Sequence, residues 1–131
     1  MTVVNFKDYK NSLKQPKYTS VPKTGKNLYK KNLIEKIDYF NSQMKNYLDN
    51  PIIEKCDFSI EGCAIKFNSN NTDTEVSLIL QDYSPDEFDS LYVTWEFYIH
   101  NIKHDEYLDS RFFSRTDTAI KYFLSKIKYM T

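Results

Sequence analysis

The chain has 131 residues, of which 40% are hydrophobic and 16% aromatic, and its 18 basic residues balance 18 acidic ones. One domain of that length can bury a sizeable core. Two cysteines, Cys56 and Cys63, make no disulfide framework, and no run has the length of a signal-peptide core or a membrane span, so the expectation is a cytoplasmic protein with reduced thiols.

The neutral total hides a partition. Residues 1–36 hold nine lysines and two acids, Asp8 and Glu35. Residues 54–109 hold thirteen acids against Lys55, Lys66 and Lys103, and residues 110–131 hold five bases against Asp117. Charge segregated in this way bears on partners rather than on fold. Lysine outnumbers arginine sixteen to two, a bias that AT-rich coding produces and that points to a low-GC bacterial or phage source.

Residues 1–26 read as a basic arm, either a mobile tail or a short helix over 5–14 ahead of Pro16, Pro22 and Gly25. Its Val3, Val4, Phe6 and Tyr9 are able to fold over a sheet, in the same chain or in a swapped homodimer. The remainder, 27–131, reads as a single α+β domain. Leu33, Ile37, Phe40, Met44 and Tyr47 recur at helical spacing and predict a helix over 27–49, stopped by Asn50-Pro51. Residues 54–68 predict a hairpin around Glu61-Gly62. In the register that keeps its apolar residues together, Phe58 faces Ile65 and Cys56 faces Phe67, while Asp57 faces Lys66 on the other side.

A third strand over 75–82 points Val76, Leu78 and Leu80 one way and Ser77 and Ile79 the other. Ser84-Pro85-Asp86-Glu87 resembles a helix start of one short turn. The fourth strand, 91–100, is the clearest: Leu91, Val93, Trp95, Phe97 and Ile99 alternate with Tyr92, Thr94, Glu96, Tyr98 and His100. A short fifth strand follows at 107–113, then a helix over 116–129 with Ala119, Ile120, Phe123 and Ile127 on its stripe and Ser114 or Thr116 as its cap. The expected architecture is a four- or five-stranded antiparallel meander with an N-terminal and a C-terminal helix on one face. Its inward set is Cys56, Phe58, Ile60, Cys63, Ile65, Phe67, Val76, Leu78, Leu80, Leu91, Val93, Trp95, Phe97 and Ile99.

No catalytic, cofactor or metal signature stands out. Cys56, Cys63, His100 and His104 have spacings foreign to structural zinc sites. His104 adjoins Asp105 and Glu106, which provides an acid–base pair only if a substrate pocket adjoins it. The nuclease-like Pro85-Asp86…Glu96 pattern fails because Tyr98 stands where a lysine is required, and the two glycines form no phosphate loop.

Two binding surfaces remain. Asp82, Asp86, Glu87 and Asp89 precede the fourth strand, Asp105 and Glu106 follow it, and Tyr92, Glu96 and Tyr98 lie between. Together they would form an acidic, tyrosine-bearing strip roughly 30 Å long, suited to a basic groove on a protein partner. The expectation is therefore a small non-enzymatic binding protein, of inhibitor or immunity type. The alternative is a nucleic-acid-binding accessory protein whose Lys7, Lys10, Lys14, Lys17, Lys23, Lys26, Lys30 and Lys31 contact phosphates.

Overall fold

Bulky side chains at every second position press one face of a strand onto a core. Strand β5 (Thr94–Asn101) does this with Trp95, Phe97 and Ile99 in the computed structural model, which describes residues 3–13, 28–59, 64–69, 72–81 and 94–130. Leu91 and Val93, the first inward positions of the same alternation, lie outside the described residues, as do Ile60, Cys63 and the Ser84–Glu87 turn.

The described residues form an antiparallel six-stranded sheet whose strands lie in chain order. β1 (Val3–Asn5) runs into α1 (Phe6–Ser12), and α2 (Leu28–Met44) follows. Then come β2 (Asp57–Ser59), β3 (Ala64–Ser69), β4 (Thr74–Gln81), β5, β6 (Glu106–Phe113) and α3 (Thr116–Ile127). The α+β class and the antiparallel sheet with packed helices agree with the sequence. The strand added to the expected count is β1, which at three residues is too short to display alternation.

The hairpin register also agrees: Asp57 pairs with Lys66 and Phe58 with Ile65. Cys56 departs from it, since β2 begins one residue later and Cys56 instead ends the short helical turn Ile53–Lys55. It is nevertheless buried, because that turn drops Ile53 and Cys56 into the core.

The first part of the basic arm belongs to the fold. β1 pairs with β2, Val4 opposite Phe58. The Asn5 side chain accepts the Asp8 backbone N–H at 2.9 Å, which caps α1. Tyr9, one turn on, is fully buried and stacks on Phe58 with ring centres 4.2 Å apart. Its hydroxyl donates to Asn41 Oδ1 on α2 at 2.6 Å, so the helix is pinned at both ends of one side chain.

The three α-helices among the described residues enter one core. Tyr9, Phe40 and Phe123 join the sheet residues Phe58, Leu78, Trp95 and Phe97 in a single cluster. Trp95 sits at its centre, its ring tilted against Phe40 at 5.0 Å and its indole N–H donating to Thr116 Oγ1 at 2.9 Å. That bond explains a departure at the start of α3. Thr116 is spoken for by Trp95, and Arg115, with no capping side-chain bond, takes the position before the first turn. Ser114 does not cap the helix; its backbone carbonyl accepts from Lys36 Nζ instead, tying α3 to α2.

Candidate functional site

The outer face of the sheet, opposite the helices, is built row by row from the strand register. One row runs Asp57, Lys66, Ser77, Tyr98, Ser110; the next runs Glu75, His100, Tyr107; another runs Ile79, Glu96, Phe112. Over β3 and β4 this face is mostly polar apart from Ala64 and Ile79, with Ser77 fully buried between larger neighbours and Lys66 paired to Glu75 at 3.2 Å. Over β5 and β6 it becomes aromatic.

The turn that joins those two strands sets the change. Asn101 pairs with Glu106, leaving Ile102–Asp105 as a four-residue turn. His104 N–H donates to Asn101 Oδ1 at 2.9 Å, and Asp105 takes φ of 49°, a left-handed conformation that a short polar side chain tolerates. Ile102 N–H reaches Asp73 O at 2.8 Å and anchors the turn to the neighbouring loop. A register shift after Ile99 inserts Leu108 as an extra residue and brings Tyr107 opposite His100. The two rings stack at 4.6 Å, and Tyr98 meets Tyr107 edge-on at 5.6 Å.

His100 is the histidine that finds a carboxylate. Its Nε2 lies 2.8 Å from Asp105 Oδ1, and since a carboxylate only accepts, that nitrogen carries the hydrogen. The pair sits on an open turn, with the Asp105 side chain 89% exposed. His104 points no side-chain bond into it, only its backbone. A true catalytic pair needs a substrate cavity beside it. A cleft of about 440 Å³ is lined by Glu35, Lys36, Tyr39 and Ser114–Asp117, and neither histidine lines it. Lys36 in that cleft is pushed below its ordinary pKa by burial.

The expected strip is described only in part. Asp82, Asp86, Glu87, Asp89 and Tyr92 lie outside the described residues. Glu96 and Tyr98 are half-buried on the outer face, and Asp105 and Glu106 are exposed at the turn, so these four do share one hairpin. What the sequence reading missed is the apolar part. Ile102, Tyr107, Leu108 and Phe112 are all more than half exposed, Tyr107 at 62%. Asp109 turns the other way, toward α3. Desolvation pushes its carboxyl up, but the Tyr122 hydroxyl, donating at 3.0 Å, and Arg111 outweigh that and hold it below the usual carboxylate range.

The lysine set is likewise described only in part. Lys7 and Lys10 are exposed on α1, and Lys30 and Lys31 fall in the first turn of α2. Lys14, Lys17, Lys23 and Lys26 lie outside the described residues.

Among the described residues no group of three or more His, Cys, Asp or Glu side chains is placed to hold a metal ion. Burial, and secondarily Asp57, pushes the Cys56 thiol up to about 12. It is held as an inert thiol in the core. No described helix is long and apolar enough to cross a membrane. Comparison with protein-family models, curated proteins and solved structures finds no match.

Proposed function

We propose that this chain is a small non-enzymatic binding protein that captures a macromolecular partner on the outer face of the β5–β6 hairpin. One observation supports it above the others: Ile102, Tyr107, Leu108 and Phe112 stand exposed together on a hairpin that also carries Glu96, Asp105 and Glu106. Monomeric proteins scatter exposed apolar residues singly; a group of them rimmed by charge is what a docking site looks like. Tyrosine adds contact area at little entropic cost, and the His100 and Tyr98 rings hold Tyr107 in place before any partner arrives.

The acids set the partner's chemistry: a protein surface with apolar hollows edged by lysine or arginine. A bacterial or phage inhibitor of immunity type, acting in the cytoplasm on a protein whose basic groove it blocks, is the specific form of this reading.

Affinity capture from the native host tests it. The wild-type chain is expected to retain a partner that Tyr107→Lys/Phe112→Lys loses. Tyr129→Lys, which alters a residue 87% exposed at the far end of the chain, keeps it. Equal retention by the hairpin variant and the wild type would remove this surface from consideration. Recovery of nucleic acid, lost at high salt and on charge reversal of Lys7 and Lys10, would favour the lysine reading instead.

A further inference from the structure

Among the described residues the sheet ends in two edge strands, the three-residue β1 and the eight-residue β6. Among the described residues β6 has β5 on one side and no strand on the other, and it runs for eight residues. A long exposed edge is a template for pairing with another strand. Most edge strands carry charges that repel a second copy of themselves. The charges of β6 do the opposite.

Around Ser110 the strand is self-complementary when reversed: Leu108, Asp109, Ser110, Arg111, Phe112. Asp109 and Arg111 lie on the helix side of the sheet, opposite Ile99 and Phe97, and Phe112 lies on the outer side, opposite Glu96. We propose that β6 pairs antiparallel with β6 of a second copy of this chain, about a two-fold axis through Ser110. In that register each Asp109 stands directly opposite Arg111 of the second copy, twice over, on the helix side. Each Phe112 stands opposite Leu108 on the outer side. Facing residues in an antiparallel pair share a face, so the axis must pass through a residue rather than between two.

The neighbouring registers are disfavoured by charge. With the axis through Asp109, the two Asp109 carboxylates face each other. With the axis through Arg111, the two guanidiniums do. Like charges directly opposite destabilise a strand pair, and opposite charges stabilise it. Within one chain Arg111 Nε lies 3.4 Å from Asp109 Oδ1 and Tyr122 donates to Asp109 Oδ2, so the pairing through Ser110 shares an existing ion pair across the axis, whereas the two neighbouring registers set like charges against each other. The bulge at Leu108 limits the paired stretch to about five residues, and such an interface is small, of the weak and reversible class below roughly 1,200 Å². The dimer would make a continuous sheet and set the two aromatic outer faces side by side, whatever those faces bind.

Sedimentation of the purified full chain up to about 1 mM is the first measurement. A reversible monomer–dimer equilibrium is expected. Asp109→Arg and Arg111→Asp, each of which sets like charges opposite, are each expected to weaken it about tenfold or more, and the double exchange Asp109→Arg/Arg111→Asp to restore it. Phe112→Lys, an exposed position that leaves the core untouched, is expected to weaken it as well. Ser110→Cys is expected to give a covalent dimer under mild oxidation. Facing Cα atoms in such a pair are about 4.5–5.5 Å apart, within disulfide reach. Circular dichroism confirms the fold of each variant. A wild type that stays monomeric, a dimer indifferent to both single exchanges and to Phe112→Lys, or a Ser110→Cys chain that does not cross-link would each overturn the proposal.

Discussion

The two ends of this sheet are finished in opposite ways. At one end, β1 is three residues long and turns at once into α1, whose Tyr9 is driven fully into the core. At the other, β6 is eight residues long, its outer face is exposed, and one helix-side residue, Phe113, packs partly against the core. The first end is closed by burial, which leaves little backbone for a stranger to pair with. Among the described residues no strand pairs with the outer edge of the second, and its exposed aromatic side chains rest on one another. The β1 end and the centre bury their aromatic residues, whereas the β6 end, where the proposed docking surface lies, leaves Tyr107 and Phe112 exposed.

The largest expected effect lies at the centre, on which both ends depend. Trp95→Ala removes the largest buried side chain and strands Thr116, and it should cost about 3–5 kcal/mol in urea denaturation. Deleting residues 1–13 tests the closed end. It uncovers Phe58 and leaves the Asn41 amide without its phenol, so a loss of about 3 kcal/mol or more is expected. A dispensable tail would leave the denaturation midpoint where it was.

Tyr9→Phe narrows that comparison to one hydroxyl. Buried Asn41 Oδ1 loses its donor, and about 1–3 kcal/mol should go with it. The same hydroxyl gives a pH signature. Burial raises the pKa of Tyr9 above the ordinary phenol value and that of Cys56 to about 12. For both groups the folded state keeps a proton that the unfolded chain releases first. Their contribution is complete at neutral pH and is lost as pH rises above the unfolded values, from about 9 for Cys56 and about 10 for Tyr9, at roughly 1.4 kcal/mol per pH unit per group. Tyr9→Phe should therefore flatten the alkaline limb of the stability curve above pH 10. An unchanged slope would mean that Tyr9 is not shielded.

How far these ends were legible follows from the lengths over which a pattern repeats. β5 announced itself because Trp95, Phe97 and Ile99 continue a strict alternation, and the β2–β3 register followed because only one parity keeps Phe58 with Ile65. β1 has no room for a pattern, and α1 is recognisable only by the Asn5 cap and by a tyrosine whose partners, Phe58 and Asn41, are remote in sequence. The cap of α3 was misplaced for a related reason, since nothing near Thr116 in the chain reveals that an indole 21 residues earlier will take its hydroxyl. On β6 the alternation is blurred by the extra residue Leu108, so the stacking of Tyr107 on His100 depends on a register no local rule supplies. The acids of the candidate surface were visible as charge; its apolar half was not, because exposure is a property of the assembled sheet.

The smallest effect on stability is expected where the effect on binding is greatest. Tyr107 and Phe112 have little buried surface to lose, so Tyr107→Ala and Phe112→Ala should each shift unfolding by about 0.5 kcal/mol, the range of ordinary surface substitutions. Tyr107→Ala removes the ring that both Tyr98 and His100 lean on, and so costs slightly more than Phe112→Ala. A loss above about 2 kcal/mol for either would show that the outer face is held as part of the core, and the contrast between a closed end and an open one would fall. If both variants fold with near-native midpoints and neither retains the partner, the energy of those rings is spent outside the molecule. That outcome would assign the exposed rings to the proposed docking surface rather than to the fold.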